Sequence, residues 1–139
     1  MARYTEDESK FDPFKQPTVG LEFMSKRVRY DGTDYNLQIW DTAGQEEYRS
    51  LIRNYFNAAT VCFLIFDVTR KATYNNIKEW HNEARASAPE KTLFVLVGNK
   101  IDDSERREVS FEEGRKLADI LNVDFIEVSA RENLRIDQV

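Results

Sequence analysis

Two uninterrupted apolar runs, Val61-Cys62-Phe63-Leu64-Ile65-Phe66 and Leu93-Phe94-Val95-Leu96-Val97, constrain the fold of this chain more than any other feature. A strand with water on one side alternates apolar and polar side chains. A run without alternation belongs to a strand covered on both faces, the condition inside a mostly parallel sheet. Between the runs, Tyr74, Ile77, Trp80, His81 and Ala84 recur at three- and four-residue spacing, which predicts a helix with one apolar stripe. Ser110 with Glu113 three residues on forms a capping box that opens another helix, its stripe being Leu117, Ala118, Ile120 and Leu121. Val123 to Val128 reads as a last strand.

Upstream the pattern changes. Residues 1 to 20 are polar and irregular, and Pro13 and Pro17 exclude a long helix there. Leu21 to Tyr30 alternates, Asp31-Gly32 is a turn signal, and Tyr35 to Asp41 alternates again, so an antiparallel hairpin is expected. Strands alternating with helices give a three-layer α/β domain, and with no linker or repeat the reading is a single domain over 1–139. A net charge of −5 removes the electrostatic case for binding nucleic acid or an anionic membrane surface. The one cysteine, Cys62, lies within an apolar run and reads as a small buried hydrophobe, so no disulfide framework or cysteine metal site is expected. No apolar run reaches the ~18 residues of a membrane span, and Met1 to Asp7 is not a signal peptide.

Three short motifs fall where these strands end. Asp41-Thr42-Ala43-Gly44-Gln45 closes the hairpin's second strand, Asn99-Lys100-Ile101-Asp102 follows the Leu93 run, and Ser129-Ala130-Arg131 follows the last strand. Taken alone, the second is also a plausible surface turn. In this order and spacing the three resemble the motifs of Ras-like small GTPases. Val19-Gly20-Leu21-Glu22-Phe23, Asn36 to Trp40, Tyr55-Phe56-Asn57-Ala58-Ala59 and Leu64 to Thr69 are similar to stretches that mark the Rab family. The resemblance covers nearly the whole chain. It implies a mostly parallel sheet of the P-loop GTPase type with an antiparallel hairpin. That sheet is expected to be incomplete at both ends, with the first strand, the P-loop and the last helix missing.

The resemblance also implies a site for GTP or GDP with Mg²⁺. Thr18 and Asp41 would serve the metal, Thr18 through its hydroxyl and Asp41 as a carboxylate steering the ion through its water shell. Gly44 would let the backbone approach the terminal phosphate, and Gln45 would orient the attacking water as the catalytic residue. Asp102 would read the base: guanine presents two adjacent donors to one carboxylate, whereas adenine places an acceptor there. Asn99 would tie the loops together and the Lys100 stem would lie along the base plane. Ser129 and Ala130 would support the pocket, Ala130 through its backbone N–H. Arg131 stands where the family more often has lysine. Phe23, Trp40 and Tyr55 match the aromatic triad with which Rabs bind effectors, with Tyr48 and Leu51 on the same surface, although aromatics at sheet positions are often simply core. His81 reads as structural.

No G-x-x-x-x-G-K-[ST] loop occurs in the 139 residues. Its backbone N–H groups, lysine and Mg²⁺ ligand are charge-assisted contacts of about 1.5–3 kcal/mol each. Four of them amount to roughly 6 kcal/mol, or about four powers of ten in affinity. GTP binding and hydrolysis are therefore expected to be impaired in this polypeptide, which leaves its standing as an enzyme open. The functional expectation is a Rab-type GTP/GDP switch of vesicle-mediated protein transport. Its implied partners are effectors, exchange factors, GTPase-activating proteins and dissociation inhibitor. It would be cytoplasmic, acting at the cytosolic face of vesicle or organelle membranes, with no membrane anchor in these residues. The alternative is a nucleotide-free, GTPase-like protein-interaction module.

Overall fold

The computed structural model describes Thr18, residues 21–42 and residues 55–139. The chain divides into two compact units, residues 1–52 and 53–139, and each is described by itself.

The first unit contains a hairpin of β1 (Leu21–Tyr30) and β2 (Thr33–Thr42). The strands pair antiparallel from Leu21 opposite Thr42 to Tyr30 opposite Thr33, a register that leaves Asp31-Gly32 as a two-residue turn. Both turn residues take positive φ, 47° and 76°, which matches the strand twist in such turns and which glycine adopts without strain. The hairpin sets Phe23 opposite Trp40 and Asp41 opposite Glu22.

In the second unit, β3 (Val61–Asp67), β4 (Leu93–Asn99) and β5 (Asp124–Glu127) form a parallel sheet in that order. The crossover from β3 to β4 is helical, as its periodicity predicts: α1 (Lys71–Asn75) and α2 (Ile77–Ser87) are separated only by Asn76, whose φ and ψ remain helical. The β4–β5 crossover carries α3 (Phe111–Leu121), opened by the expected capping box, with Ser110 Oγ accepting from the Glu113 N–H and Glu113 from the Ser110 N–H. Left-handed Asn122 ends that helix at φ 54°. Together the hairpin, the parallel sheet and its helices are the α/β architecture that the sequence implies.

One continuous core joins Leu64, Phe66 and Val68 to Phe94 and Leu96, and to Ile77, Ala84, Leu117 and Ala118 from the helices. Leu64, Phe66, Phe94 and Leu96 lie on one face of the sheet. On the other face Val61, Phe63, Ile65 and Leu93 are 40%, 41%, 59% and 64% exposed. The expectation that β3 is covered on both faces is thus corrected: the described helices pack on one side only, and the apolar run alternates in burial. Ile120 also departs from its expected place. It is exposed, because the buried arc of α3 runs through Gly114, Leu117 and Ala118 and Ile120 lies to one side of it. Gly114 is required by packing, since a Cβ there would stand 2.4 Å from the Phe125 ring.

Candidate functional site

Strand ends position the polar side chains. In the first unit Asp41 lies one residue before the end of β2, and the Thr18 hydroxyl donates to its Oδ2 at 3.0 Å. This brings two hard oxygen donors together, the ligand type Mg²⁺ prefers; that ion is commonly held by one or two protein oxygens, with water and phosphate completing its shell. Among the described residues no three Asp, Glu, His or Cys side chains gather into a metal-binding group. The Phe23 and Trp40 rings meet tilted at 44°, with centroids 4.5 Å apart, and both are exposed. Gly44, Gln45, Tyr48 and Leu51 lie outside the described residues. Tyr55 is exposed and belongs to the second unit.

In the second unit the carboxyl end of β4 and the segment after β5 interlock. The Asn99 side-chain oxygen accepts from the Lys100 N–H at 2.8 Å and from the Ala130 N–H at 3.1 Å. Fully buried Ser129 donates its hydroxyl to Asp102 Oδ1 at 2.6 Å and accepts from the Glu132 N–H at 3.0 Å. The Ile101 N–H reaches the Val128 carbonyl at 3.3 Å, and a two-way backbone bridge between Ser129 and Leu134 closes the following loop. Lys100 has a positive φ of 71°, uncommon for a residue with a side chain and a mark of a loop held by its surroundings. Arg131 Nη1 lies 4.0 Å from Asp102 Oδ2. Asn99, Lys100, Asp102, Ser129 and Ala130 therefore meet at one end of the parallel sheet, where strand-end loops of open α/β sheets hold ligands.

Three residues that the sequence reading passed over belong to this neighbourhood. Asp67, the last residue of β3 and in register with Asn99, receives the Lys100 ammonium at 2.7 Å and both the N–H and the hydroxyl of Thr69. Burial opposes its ionisation, but the hydrogen bonds from Lys100 and Thr69 outweigh it and hold the carboxyl below the usual range. Its place at a strand's carboxyl end was the available signal. Arg107 and Glu127 form a two-pronged ion pair, Nη1–Oε1 at 2.7 Å and Nη2–Oε2 at 3.0 Å. Nothing in a linear reading joins residues twenty positions apart, one in a loop and the other at a strand end.

Two further titratable groups, Cys62 and His81, read as structural. Half-buried Cys62 has its thiol pushed up to about 11 by burial, which keeps it protonated and unreactive at neutral pH. His81 meets Phe94 edge-on at 5.1 Å, and burial followed by the charge of Arg85 lowers its pKa. Among the described residues no helix is long and apolar enough to cross a membrane.

Comparison with known proteins bears on this arrangement. A family model described as the Ras family matches residues 1–139. The chain is 39% identical over 138 residues to the GTP-binding protein ypt2 of Schizosaccharomyces pombe, an alignment covering 99% of this chain and 68% of that protein. It is 41% identical to the Ras-related protein RABA6a of Arabidopsis thaliana, over 99% of this chain and 58% of that one. With the Ras-related protein SEC4 of Candida albicans it shares 39% identity, over 100% of this chain and 65% of that relative. The chain thus spans about three fifths to two thirds of the length of these relatives. With its full length matched and its D-T-A-G-Q, N-K-x-D and S-A motifs in order, the chain belongs to the Ras family, as a small GTPase of the Rab type.

Proposed function

We propose that this chain carries the guanine-reading half of a GTP/GDP switch that serves vesicle-mediated transport at the cytosolic face of membranes. The observation that carries the proposal is the interlock of Asn99 to Asp102 with Ser129 and Ala130. It holds the Asp102 carboxylate in place to accept the two adjacent donors of guanine. Oδ1 keeps one lone-pair direction beyond the Ser129 bond, and among the described residues Oδ2 lies near Arg131 Nη1 at 4.0 Å. Adenine would leave that carboxylate facing an acceptor, a mismatch that a buried polar site penalises heavily. Lys100, fixed at its tip by Asp67, would lay its stem along the base.

Mg²⁺ would be held by the Thr18 hydroxyl and, through water, by Asp41, and when bound it would neutralise charge on the phosphates. Gly44 would meet the terminal phosphate and Gln45 would orient water. Because no phosphate-cradling motif occurs in the 139 residues, this polypeptide by itself binds nucleotide weakly and turns it over negligibly. The exposed Phe23–Trp40 pair supports a second reading, a GTPase-like module that presents an effector surface without a nucleotide. For the switch, effectors, exchange factors, activating proteins and dissociation inhibitor are the partners that the Rab resemblance implies; for the module, effectors alone.

Equilibrium titration of the purified chain with a fluorescent GDP analogue, with and without Mg²⁺ and in competition with unlabelled GDP and ADP, tests the proposal. Weak binding that GDP displaces and ADP does not supports the switch. Equal displacement by both contradicts it, and no binding favours the interaction module.

A further inference from the structure

The guanine-reading loops are joined directly by two motif hydrogen bonds, Ala130 N–H to Asn99 and Ser129 to Asp102, and a third, two-pronged link lies just outside the motifs. Glu127 ends β5 and immediately precedes Val128-Ser129-Ala130. Arg107 follows the short 3₁₀ turn Ser104–Arg106, five residues beyond Asp102. Their side chains are 25% and 8% exposed, and Arg107 Nη1 also donates to the Val109 carbonyl at 3.1 Å. Glu127 Cγ passes over Gly98, where a Cβ would stand 3.3 Å from it, so the acid crosses directly above the residue that precedes Asn99. The neighbouring backbone is already engaged, Val128 giving its N–H to Gly98 and its carbonyl to Ile101.

A buried ion pair contributes little net stability, because desolvation offsets the attraction. A two-pronged guanidinium–carboxylate contact nevertheless fixes both separation and angle, which a lysine point charge does not. We propose that Arg107 and Glu127 are positioning residues for guanine recognition: their fork sets the spacing of the Asn99–Asp102 and Ser129–Ala130 segments. Base selectivity then depends on a pair that touches no nucleotide. This inference rests on the guanine reading above.

The test compares the chain with its Arg107→Lys variant, which keeps the charge and loses the fork. Glu127→Gln, which keeps the shape and loses the charge, is the second variant should the first not fold. Two quantities are read by NMR: amide hydrogen exchange at Ala130 and Ile101 against Leu96 and Val97 in β4, and the ratio of affinities for GMP and IMP, which differ only in the exocyclic amine. Each variant is expected to speed exchange at Ala130 and Ile101 by about tenfold while leaving β4 within about twofold, the signature of a local opening. The GMP-over-IMP preference is expected to narrow by about fivefold, whereas a loss of folded protein alone would weaken both nucleotides equally. Exchange that rises equally everywhere, or stays unchanged at Ala130, overturns the clamp, as does an unaltered GMP-to-IMP ratio. If the parent chain binds neither nucleotide, the guanine reading fails, and Ala130 exchange still decides the clamp.

Discussion

Replacing Ser129 with alanine removes one oxygen and two hydrogen bonds from a position with no access to water. The donated bond ends on a carboxylate at 2.6 Å, a charge-assisted contact of about 1.5–3 kcal/mol. The accepted bond, from the Glu132 N–H at 3.0 Å, is an ordinary one of about 0.5–1.5 kcal/mol. The Asp102 side chain is 13% exposed, so water replaces part of what its Oδ1 loses. A net loss of about 2–3 kcal/mol follows, a sizeable share of the roughly 5–15 kcal/mol that stabilises a domain. Urea denaturation followed through Trp80 in a Trp40→Phe background confines the signal to the second unit, because these are the two tryptophans of the chain. With a slope of about 1–3 kcal/mol per molar urea, the midpoint should fall by about 0.7–3 M. A shift corresponding to less than about 0.5 kcal/mol would mean that Ser129 does not carry the interlock, whatever its burial and bond lengths.

Gly114→Ala should destabilise the second unit by about 1–2 kcal/mol in the same melt, since overpacking of about 1–3 kcal/mol against Phe125 exceeds the helix-propensity gain of up to about 1 kcal/mol. Phe125 is itself bounded by Phe66 and Phe111, so unchanged stability would show that its ring has room to yield. Asp102→Asn should exchange guanine for xanthine preference, because the amide supplies a donor where xanthine has a carbonyl; parallel titrations with GMP and XMP read the change, and a persisting guanine preference would count against Asp102 as the base reader. The lowered pKa of His81 means that the unfolded chain takes up a proton below about 6.5 while the folded one resists it. Stability should therefore decline as pH falls from about 6.5 toward the folded-state value, and His81→Phe should flatten that slope in melts run across the interval; an identical slope would assign the effect elsewhere.

Local chemistry made much of this architecture legible in the sequence. Asp31-Gly32 fixes the hairpin through backbone geometry, Ser110 and Glu113 cap a helix through contacts three residues apart, and the Val61 and Leu93 runs mark strands by composition. What the runs did not reveal is which of their faces is covered. Val61, Phe63, Ile65 and Leu93 are as apolar as Leu64 and Phe66, and only the placement of helices tells them apart. Ile120 misled for a related reason: three-residue spacing from Leu117 keeps it near the stripe without placing it inside. The candidate site was legible as motifs because its residues are consecutive at strand ends. Its supporting charges were not, since Asp67, Arg107 and Glu127 acquire their partners only across the folded chain, and in sequence a charged residue reads as solvated.

NMR titration of the isotopically labelled 139-residue chain with GMP and, separately, AMP asks whether the Asn99–Asp102 and Ser129–Ala130 segments together read guanine. The prediction is that GMP at millimolar concentration shifts amide resonances within those two segments, that AMP at the same concentration does not, and that Asp102→Asn abolishes the GMP response. Shifts that are equal for the two nucleotides, or that fall elsewhere in the chain, would contradict it.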